Sequence, residues 1–404
     1  MKYVVVLGDG MADERYEELG GKTPIEAAEI PAARYFAAHG EVGLCQSVPR
    51  GMKPGSDVAN LSVMGYDPKK YYSGRSPLEA VSMGVELRDD DVTYRCNLVT
   101  LSDEPAFEDR TMKDYSAGEI STPEAAALIS YLAEKLELPP ELSLFPGVSY
   151  RHCLRLSGAT PGVTETTPPH DISDRKIAEY LPKGGLGELL LGLMKRSSEL
   201  LATHPVNLAR IRAGKNPATS CWFWGEGTKP GLSSFADKTG LSGAVISAVD
   251  LVKGIGKLAG MEVIDVPGAT GNIHTNFDGK AAAAIDALKR GRDFVYIHLE
   301  APDECGHQGQ LREKVRAIEL IDEKVTSPVF SYLKSAGEPF AMMFVPDHPT
   351  PVRLKTHTGD PVPFVIYRSE EREGKFPYSE AGARESGVFV EKGYELLDRF
   401  LNRK

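Results

Sequence analysis

The chain has 404 residues, 41% of them hydrophobic and 26% charged, and a formal net charge of −10. That length exceeds one compact core of ordinary size, so two domains are expected, and the composition is that of a soluble globular protein. The acidic balance excludes a general nucleic-acid surface, and an anionic substrate would need metal ions or a local cluster of Arg and Lys. Cys45, Cys96, Cys153, Cys221 and Cys305 are scattered and show no CxxC spacing. They exclude a zinc ribbon and a disulfide framework, and fit reduced thiols in the cytoplasm. No apolar run approaches a membrane span, so neither a membrane nor nucleic acid is expected as a partner. No pattern specifies an oligomeric state.

Residues 3–7 are apolar and β-branched and close on Gly8-Asp9-Gly10. They predict a buried first strand, too short for a signal peptide, with a carboxylate at its carboxyl end. Asp-Gly is also turn chemistry, so Asp9 alone decides nothing. Residues 25–38 predict an Ala-rich helix and 41–46 a short strand. Residues 50–62 (RGMKPGSDVANLS) break at Gly and Pro and then start a helix near Ser56. Serine there is most often a helix cap. A helix amino terminus also binds anions, and beside a metal Ser56 would become a nucleophile facing a phosphate. Asp57 is likewise divided between partner of the helix dipole and functional group.

Residues 74–87 predict a helix capped by Ser76 with Pro77 in its first turn, and 92–101 a strand. Residues 76–212 read as an inserted second domain. It has helices at 122–136 and 186–201, strands at 142–145 and 150–156, and a Thr- and Pro-rich loop at 158–169. It carries Arg95, Asp114, Arg151, His152, His170 and Asp171, with Arg210, Arg212 and Lys215 near its return. Guanidinium groups take both oxygens of a phosphate or carboxylate, although for any one of these residues a solvated surface charge is the plainer reading.

From 218 the core resumes. Strands are expected at 221–224, 243–248, 262–266, 294–299, 340–345 and 363–367, with helices at 251–258, 281–290, 311–333 and 391–401. This alternation argues a parallel, doubly wound sheet, which binds ligands beyond the carboxyl ends of its strands. The glycine loop at 267–271 lacks a following Lys-Ser/Thr pair and no GxGxxG follows a strand, so no nucleotide loop is present.

Three expected strands end in ligand-type side chains: Asp9, Asp303 with His307, and Asp347 with His348; His357 follows. Each alone reads as a turn residue or a satisfied polar group, but the repetition at three strand ends makes coincidence the weaker account. With Ser56 the groups outnumber one tetrahedral site and suit two adjacent divalent ions. Mixed carboxylate and imidazole favour manganese first, with zinc and magnesium as the other options. Cys305 reads as packing, and His298, inside an apolar strand, as a core histidine.

Asp9, Ser56, DECGH at 303–307, PDH at 346–348, THT at 356–358 and PVPF at 361–364 resemble the alkaline phosphatase superfamily. Within it the chain resembles, from end to end, the shorter cofactor-independent phosphoglycerate mutases. The resemblance implies an alkaline-phosphatase-like α/β core, a doubly wound and mostly parallel sheet at 1–75 and 213–404, with a smaller α+β substrate-binding lid at 76–212. It implies one metal ion on Asp9, Ser56, Asp347 and His348, and a second on Asp303, His307 and His357. It makes Ser56 the nucleophile that becomes a phosphoserine, and needs no 2,3-bisphosphoglycerate. The implied activity interconverts 3-phosphoglycerate and 2-phosphoglycerate in glycolysis and gluconeogenesis, with Asp114, His170 and Asp171 as equal choices for a general base. Segments 150–152, 168–172 and 221–225 look closer to a sister group proposed as homoserine kinases. A phosphotransferase on a small hydroxy amino acid, or a phosphomonoesterase, is therefore the enzyme alternative. A metal-binding regulatory protein is the non-enzyme one.

Overall fold

The computed structural model describes residues 1–404 apart from 159–161, 163, 371 and 404, so part of the expected 158–169 loop lies outside the described residues. The chain divides into two compact units, Met1–Tyr72 with Leu232–Lys404, and Ser73–Gly231. In the first unit β1 (Lys2–Gly8) and β2 (Glu41–Cys45) come before the second unit is entered. The second unit holds β3 (Val92–Leu101), β4 (Met112–Asp114), β5 (Leu142–Phe145), β6 (Arg151–Leu156) and β7 (Ser220–Thr228). The return contributes β8 (Gly243–Ile246), β9 (Glu262–Ile264), β10 (Phe294–Leu299), β11 (Phe340–Val345), β12 (Val362–Arg368) and β13 (Phe389–Val390).

The first unit's sheet runs β13-β2-β12-β11-β1-β10-β8-β9. β1 lies between β10 and β11 and is parallel to both, with Tyr3 opposite Phe294 and Lys2 opposite Phe340. β12 is antiparallel to β11 and to β2, so the sheet is mostly parallel, as expected. Val4 to Leu7 are 0% exposed. A strand buried on both faces can be read from its unbroken apolar run, and each such side chain contributes about 1.5–3 kcal/mol on leaving water. Because β10, β1 and β11 are adjacent and parallel, their carboxyl ends open along one edge. That edge gathers the ligand-type residues.

The expected domain boundaries shift, and one strand changes sheet. The sequence places residues 221–224 in the core, but β7 pairs antiparallel with β3 along its length, from Val92 opposite Thr228 to Val99 opposite Ser220. Trp222 and Phe223 pack inside the second unit's own hydrophobic core. An aromatic run forms a strand wherever its apolar face is covered, and nothing local names the covering element. The helix expected at 25–38 splits into Pro24–Ala27 and Pro31–Ala38, because Pro31 lacks the amide that would continue it. The helix expected at 311–333 is Leu311–Ile321, a π-helical turn at Asp322–Thr326, and Ser327–Ala336. Asp322 accepts from the amides of Ala32 and Ala33 at 3.0 and 2.9 Å, which satisfies the start of Pro31–Ala38. The closing helix at 391–401 shortens to a 3-10 turn and Leu396–Phe400.

Candidate metal centre

The helix Ser56–Val63 has Gly55 at its N-cap position and Ser56 as its first residue, so Ser56 is not the cap. The common serine role therefore does not apply. Ser56 Oγ instead lies 3.1 Å from His348 Nε2 and 3.5 Å from Asp9 Oδ1. Asp57 is occupied elsewhere, accepting from the Val58 amide at 2.8 Å and from the Tyr72 hydroxyl at 2.7 Å. Asp9 follows β1, and Asp347 and His348 follow β11 beyond Pro346; all three are 0% exposed. His348 Nε2 is 3.5 Å from Asp9 Oδ1 and 3.4 Å from Asp347 Oδ2.

Beyond β10 the chain forms a helix, Ala301–Gln308, which composition alone did not reveal. It sets Asp303 and His307 one turn apart on one face, with Asp303 Oδ2 3.3 Å from His307 Nε2. His357 Nε2 stands 3.4 Å from Asp303 Oδ1 and 2.9 Å from His307 Nε2. The ring of His357 also lies 4.2 Å, centre to centre, from that of His348. The ligand-type residues thus form one continuous cluster. Among the described residues, the ligand atoms of Asp303, His348 and His357 lie within 4.8 Å of one another, as do those of Asp9, His298 and Asp347. His298 is buried as expected, but it is no bystander: its Nε2 is 3.0 Å from Asp9 Oδ2.

Hydrogen bonds behind the cluster fix which atoms face it. The Thr350 hydroxyl donates to Asp303 Oδ1 and lies 3.3 Å from His348 Nδ1. Its single proton is committed to the carboxylate, so His348 Nδ1–H donates to the hydroxyl oxygen and Nε2 presents a lone pair. His307 Nδ1 donates to the Lys355 carbonyl at 3.0 Å, turning Nε2 inward. Asp347 Oδ1 accepts from the amides of Gly10 and His348 at 3.0 and 2.8 Å. Gly10 is required there: its φ is +61°, and a Cβ would meet Thr350 Oγ1 at 2.5 Å and Asp303 Oδ1 at 2.6 Å.

Two residues escaped the sequence reading. Asn60 donates to the Ser56 carbonyl at 2.8 Å and to Asp347 Oδ2 at 3.0 Å, and accepts from the Tyr296 hydroxyl at 2.7 Å. Its position one helical turn after Ser56 was the available signal. Thr350 gave none, since a threonine between Pro349 and Pro351 reads as loop. Cys305 packs in the hydrophobic core, as expected.

The donor set fits divalent cations. Burial, then the carboxylates of Asp347 and Asp303, push the Asp9 carboxyl well above the ordinary range. Among the described residues, Ser56, Asn60, His298 and His348 lie against the Asp9 and Asp347 carboxylates, and no ion pair joins either to a lysine or arginine. Buried carboxylates in that position call for a cation. Burial lowers the His348 imidazole, keeping it neutral as a ligand must be. Hydrogen bonding to Asp303 draws His307 up to about 9, a proton that a cation held at Nε2 would displace.

In the second unit the substrate candidates divide. Arg95 is almost wholly buried, paired with Glu79 Oε2 at 2.7 Å and stacked 4.0 Å over the Trp224 ring. The His170 ring meets the same Trp224 at 5.3 Å, and its Nε2 is 3.6 Å from Asp171. Arg151 is exposed and stands over Tyr150 at 5.5 Å. His152 is buried, accepts from the Gly147 amide at 3.0 Å and is pushed down to about 3 by burial. Asp114 organises a turn, accepting from Ser116, Gly118 and Asn216. Against the cost of its burial, these bonds hold it below the ordinary carboxylate range, which disfavours it as a base. Arg210 is consumed internally by Glu124 and the carbonyls of Ala117 and Asn216. Arg212 and Lys215 are exposed at the end of the helix Pro205–Arg212 and its following turn.

The family model for 2,3-bisphosphoglycerate-independent phosphoglycerate mutase matches residues 37–207. A 2,3-bisphosphoglycerate-independent phosphoglycerate mutase of Methanosarcina barkeri is 50% identical over 406 residues, covering 100% of both chains. A probable enzyme of the same name from Geobacter sulfurreducens is also 50% identical over 100% of each chain. Among solved structures, the cofactor-independent phosphoglycerate mutase from Thermoplasma acidophilum aligns with a TM-score of 0.67 at 25% identity, covering 100% of this chain and 99% of that one. The PH0037 protein from Pyrococcus horikoshii aligns with a TM-score of 0.82 at 27% identity, covering 100% and 98%. The chain belongs to the 2,3-bisphosphoglycerate-independent phosphoglycerate mutase family, and it is an enzyme of that family.

Proposed function

We propose that the protein interconverts 3-phosphoglycerate and 2-phosphoglycerate through a phosphoserine at Ser56, without 2,3-bisphosphoglycerate, as a cytoplasmic step of glycolysis and gluconeogenesis. The observation that carries this reading is the placement of Ser56 Oγ, one residue past the N-cap Gly55, 3.1 Å from His348 Nε2 and 3.5 Å from Asp9 Oδ1. Asp9, Ser56, Asp347 and His348 would hold one divalent ion and Asp303, His307 and His357 the other, with His348 between the two sets. Manganese is the first choice, ahead of zinc and magnesium. When bound, such ions lower the pKa of a coordinated hydroxyl and neutralise charge on a transferring phosphoryl group.

The residues do the rest. Ser56 Oγ gives up its proton and attacks phosphorus, the bond from phosphorus to the C3 oxygen breaks, and that oxygen takes a proton in turn. The freed glycerate turns, its C2 hydroxyl oxygen attacks the same phosphorus as it loses its proton, and the Ser56 oxygen leaves and regains a proton. Asn60 keeps Ser56 and Asp347 in register through both transfers, since it bonds the backbone of one and the carboxylate of the other. Water must be excluded while the phosphoserine exists. We assign substrate recognition to the second unit, whose Arg95, Arg151 and His170 suit a carboxylate. His170 and Asp171 remain as bases there.

The names of the full-length relatives support the mutase over the homoserine kinase-like alternative. Manganese-loaded protein is expected to interconvert the two phosphoglycerates with no added bisphosphoglycerate, and Ser56→Ala to abolish this. Sustained mutase turnover by Ser56→Ala would refute the nucleophile. Transfer from a nucleotide to homoserine, with no mutase activity, would select the alternative.

A further inference from the structure

His298 sits on β10 opposite Leu7 of β1, one residue short of the strand end, and is 0% exposed. Its two nitrogens both have partners. Nε2 is 3.0 Å from Asp9 Oδ2, and Nδ1 is 3.2 Å from Ser247 Oγ. Ser247 Oγ already accepts from the Val249 amide at 2.9 Å. With a cation beside it Asp9 is an ionised carboxylate, which only accepts, so the proton between His298 and Asp9 would then belong to Nε2. Nδ1 is then an acceptor, and the Ser247 hydroxyl donates to it. The result is a directed chain from the Val249 amide to the Ser247 hydroxyl, to the His298 ring, to Asp9 Oδ2.

This chain decides two things. It removes His298 from the set of metal ligands, although its ring nitrogen lies within ligand range of Asp9 and Asp347, because that nitrogen carries a hydrogen. It also divides the labour of the Asp9 carboxylate. Oδ2 is taken by His298, while Oδ1 is the oxygen that faces Ser56 and His348 at 3.5 Å each. The backbone of His298 is anchored as well, its carbonyl accepting from the buried Lys280 Nζ at 2.9 Å.

We infer that His298 is a positioning residue that holds Asp9 to single-oxygen ligation through Oδ1 and so sets the affinity of the metal ion beside Ser56. This rests on the metal reading proposed above, and the experiment separates the two. Mn2+ binding to the full-length protein is followed by electron paramagnetic resonance titration, which needs no turnover. Wild type is expected to bind two ions. His298→Ala is expected to weaken one of them about 10- to 100-fold, the usual cost of removing such an outer partner, and to leave the other unchanged. His298→Gln, whose amide can donate to Oδ2, is expected to recover affinity to within a few-fold. Should His298→Ala not fold, as judged by circular dichroism of the metal-free protein, Ser247→Ala carries the test with a several-fold loss at the same ion.

No Mn2+ binding by wild type would overturn the metal reading, and this inference with it. Two ions bound by wild type with unchanged affinity in His298→Ala, or in Ser247→Ala where that variant stands in, would overturn the inference alone. Equal weakening in His298→Ala and His298→Gln would also overturn it, because a ligand or a packing group would behave that way.

Discussion

Replacing Lys314 with Met tests what lies behind the carboxylate and histidine cluster. Lys314 and Asp13 are both 0% exposed in their side chains, with Nζ 2.7 Å from Asp13 Oδ2. The same ammonium donates to the Thr350 carbonyl at 2.8 Å and reaches the Ala12 carbonyl at 3.4 Å. Removing one partner of a buried pair leaves the other charge uncompensated and costs about 3–5 kcal/mol. Asp13 keeps the Tyr16 hydroxyl at 2.6 Å and the Val352 amide at 3.2 Å, so the lower end, about 3 kcal/mol, is expected. Adding Asp13→Asn removes the stranded charge and should return most of that loss, about 2 kcal/mol. The assay must be urea unfolding followed by far-ultraviolet circular dichroism. The two tryptophans, Trp222 and Trp224, lie in the second unit, where fluorescence would miss a change in the first. With a slope of about 3 kcal/mol per molar urea, the midpoint of the first unit should fall by about 1 M. A fall under about 0.3 M would reduce the pair to the worth of a surface bridge and refute the reasoning.

Asn60→Leu should lower kcat by roughly 100-fold with little change in KM, since it frees Ser56 and Asp347 from a shared donor; steady-state kinetics decide it, and a change confined to KM would contradict the role. Gly10→Ala forces a Cβ onto Asp303 and Thr350 at a left-handed φ, so a loss of more than about 1 kcal/mol is expected by chemical denaturation, together with weaker Mn2+ binding. His152 has an ordinary pKa of 6.5 and is held at about 3 in the fold by burial. It is neutral when folded, so its contribution is whole above pH 6.5 and is lost as pH falls toward 3, at up to about 1.4 kcal/mol per pH unit. His152→Leu should therefore flatten the acid limb of second-unit stability, measured by tryptophan fluorescence between pH 7 and pH 5; parallel profiles for wild type and variant would argue against it.

The core strands were legible because burial on both faces writes an unbroken apolar run between Gly or Pro. β10 and β11 fall where residues 294–299 and 340–345 predict them. The ligand-type residues were legible for a related reason. Carboxylate and imidazole are costly at the end of a buried strand unless they have a task, so Asp9, Asp303, Asp347 and His348 stood out against their neighbours. What failed was partnership. β7 was given to the wrong unit because its aromatic residues do not name the strand they pair with. His298 was read from its apolar neighbours, while its partner Asp9 lies 289 positions away. Arg210 looked available because its three acceptors come from Glu124, Ala117 and Asn216, and only folding brings them together.

The central place of β1 has a consequence for how the chain is made. β1 emerges during synthesis long before its sheet neighbours, residues 294–299 and 340–345. At about 5–20 residues per second, roughly 15–60 s pass before either exists. Over that interval an apolar strand with two open edges must be kept from pairing with itself or with other chains. The contiguous unit at 73–231 can close meanwhile, because β3 to β7 all find their partners within it. The ribosome thus delivers the second unit finished before the carboxylate and histidine cluster can form, so a chain interrupted before residue 345 would carry a folded second unit and an incomplete first one.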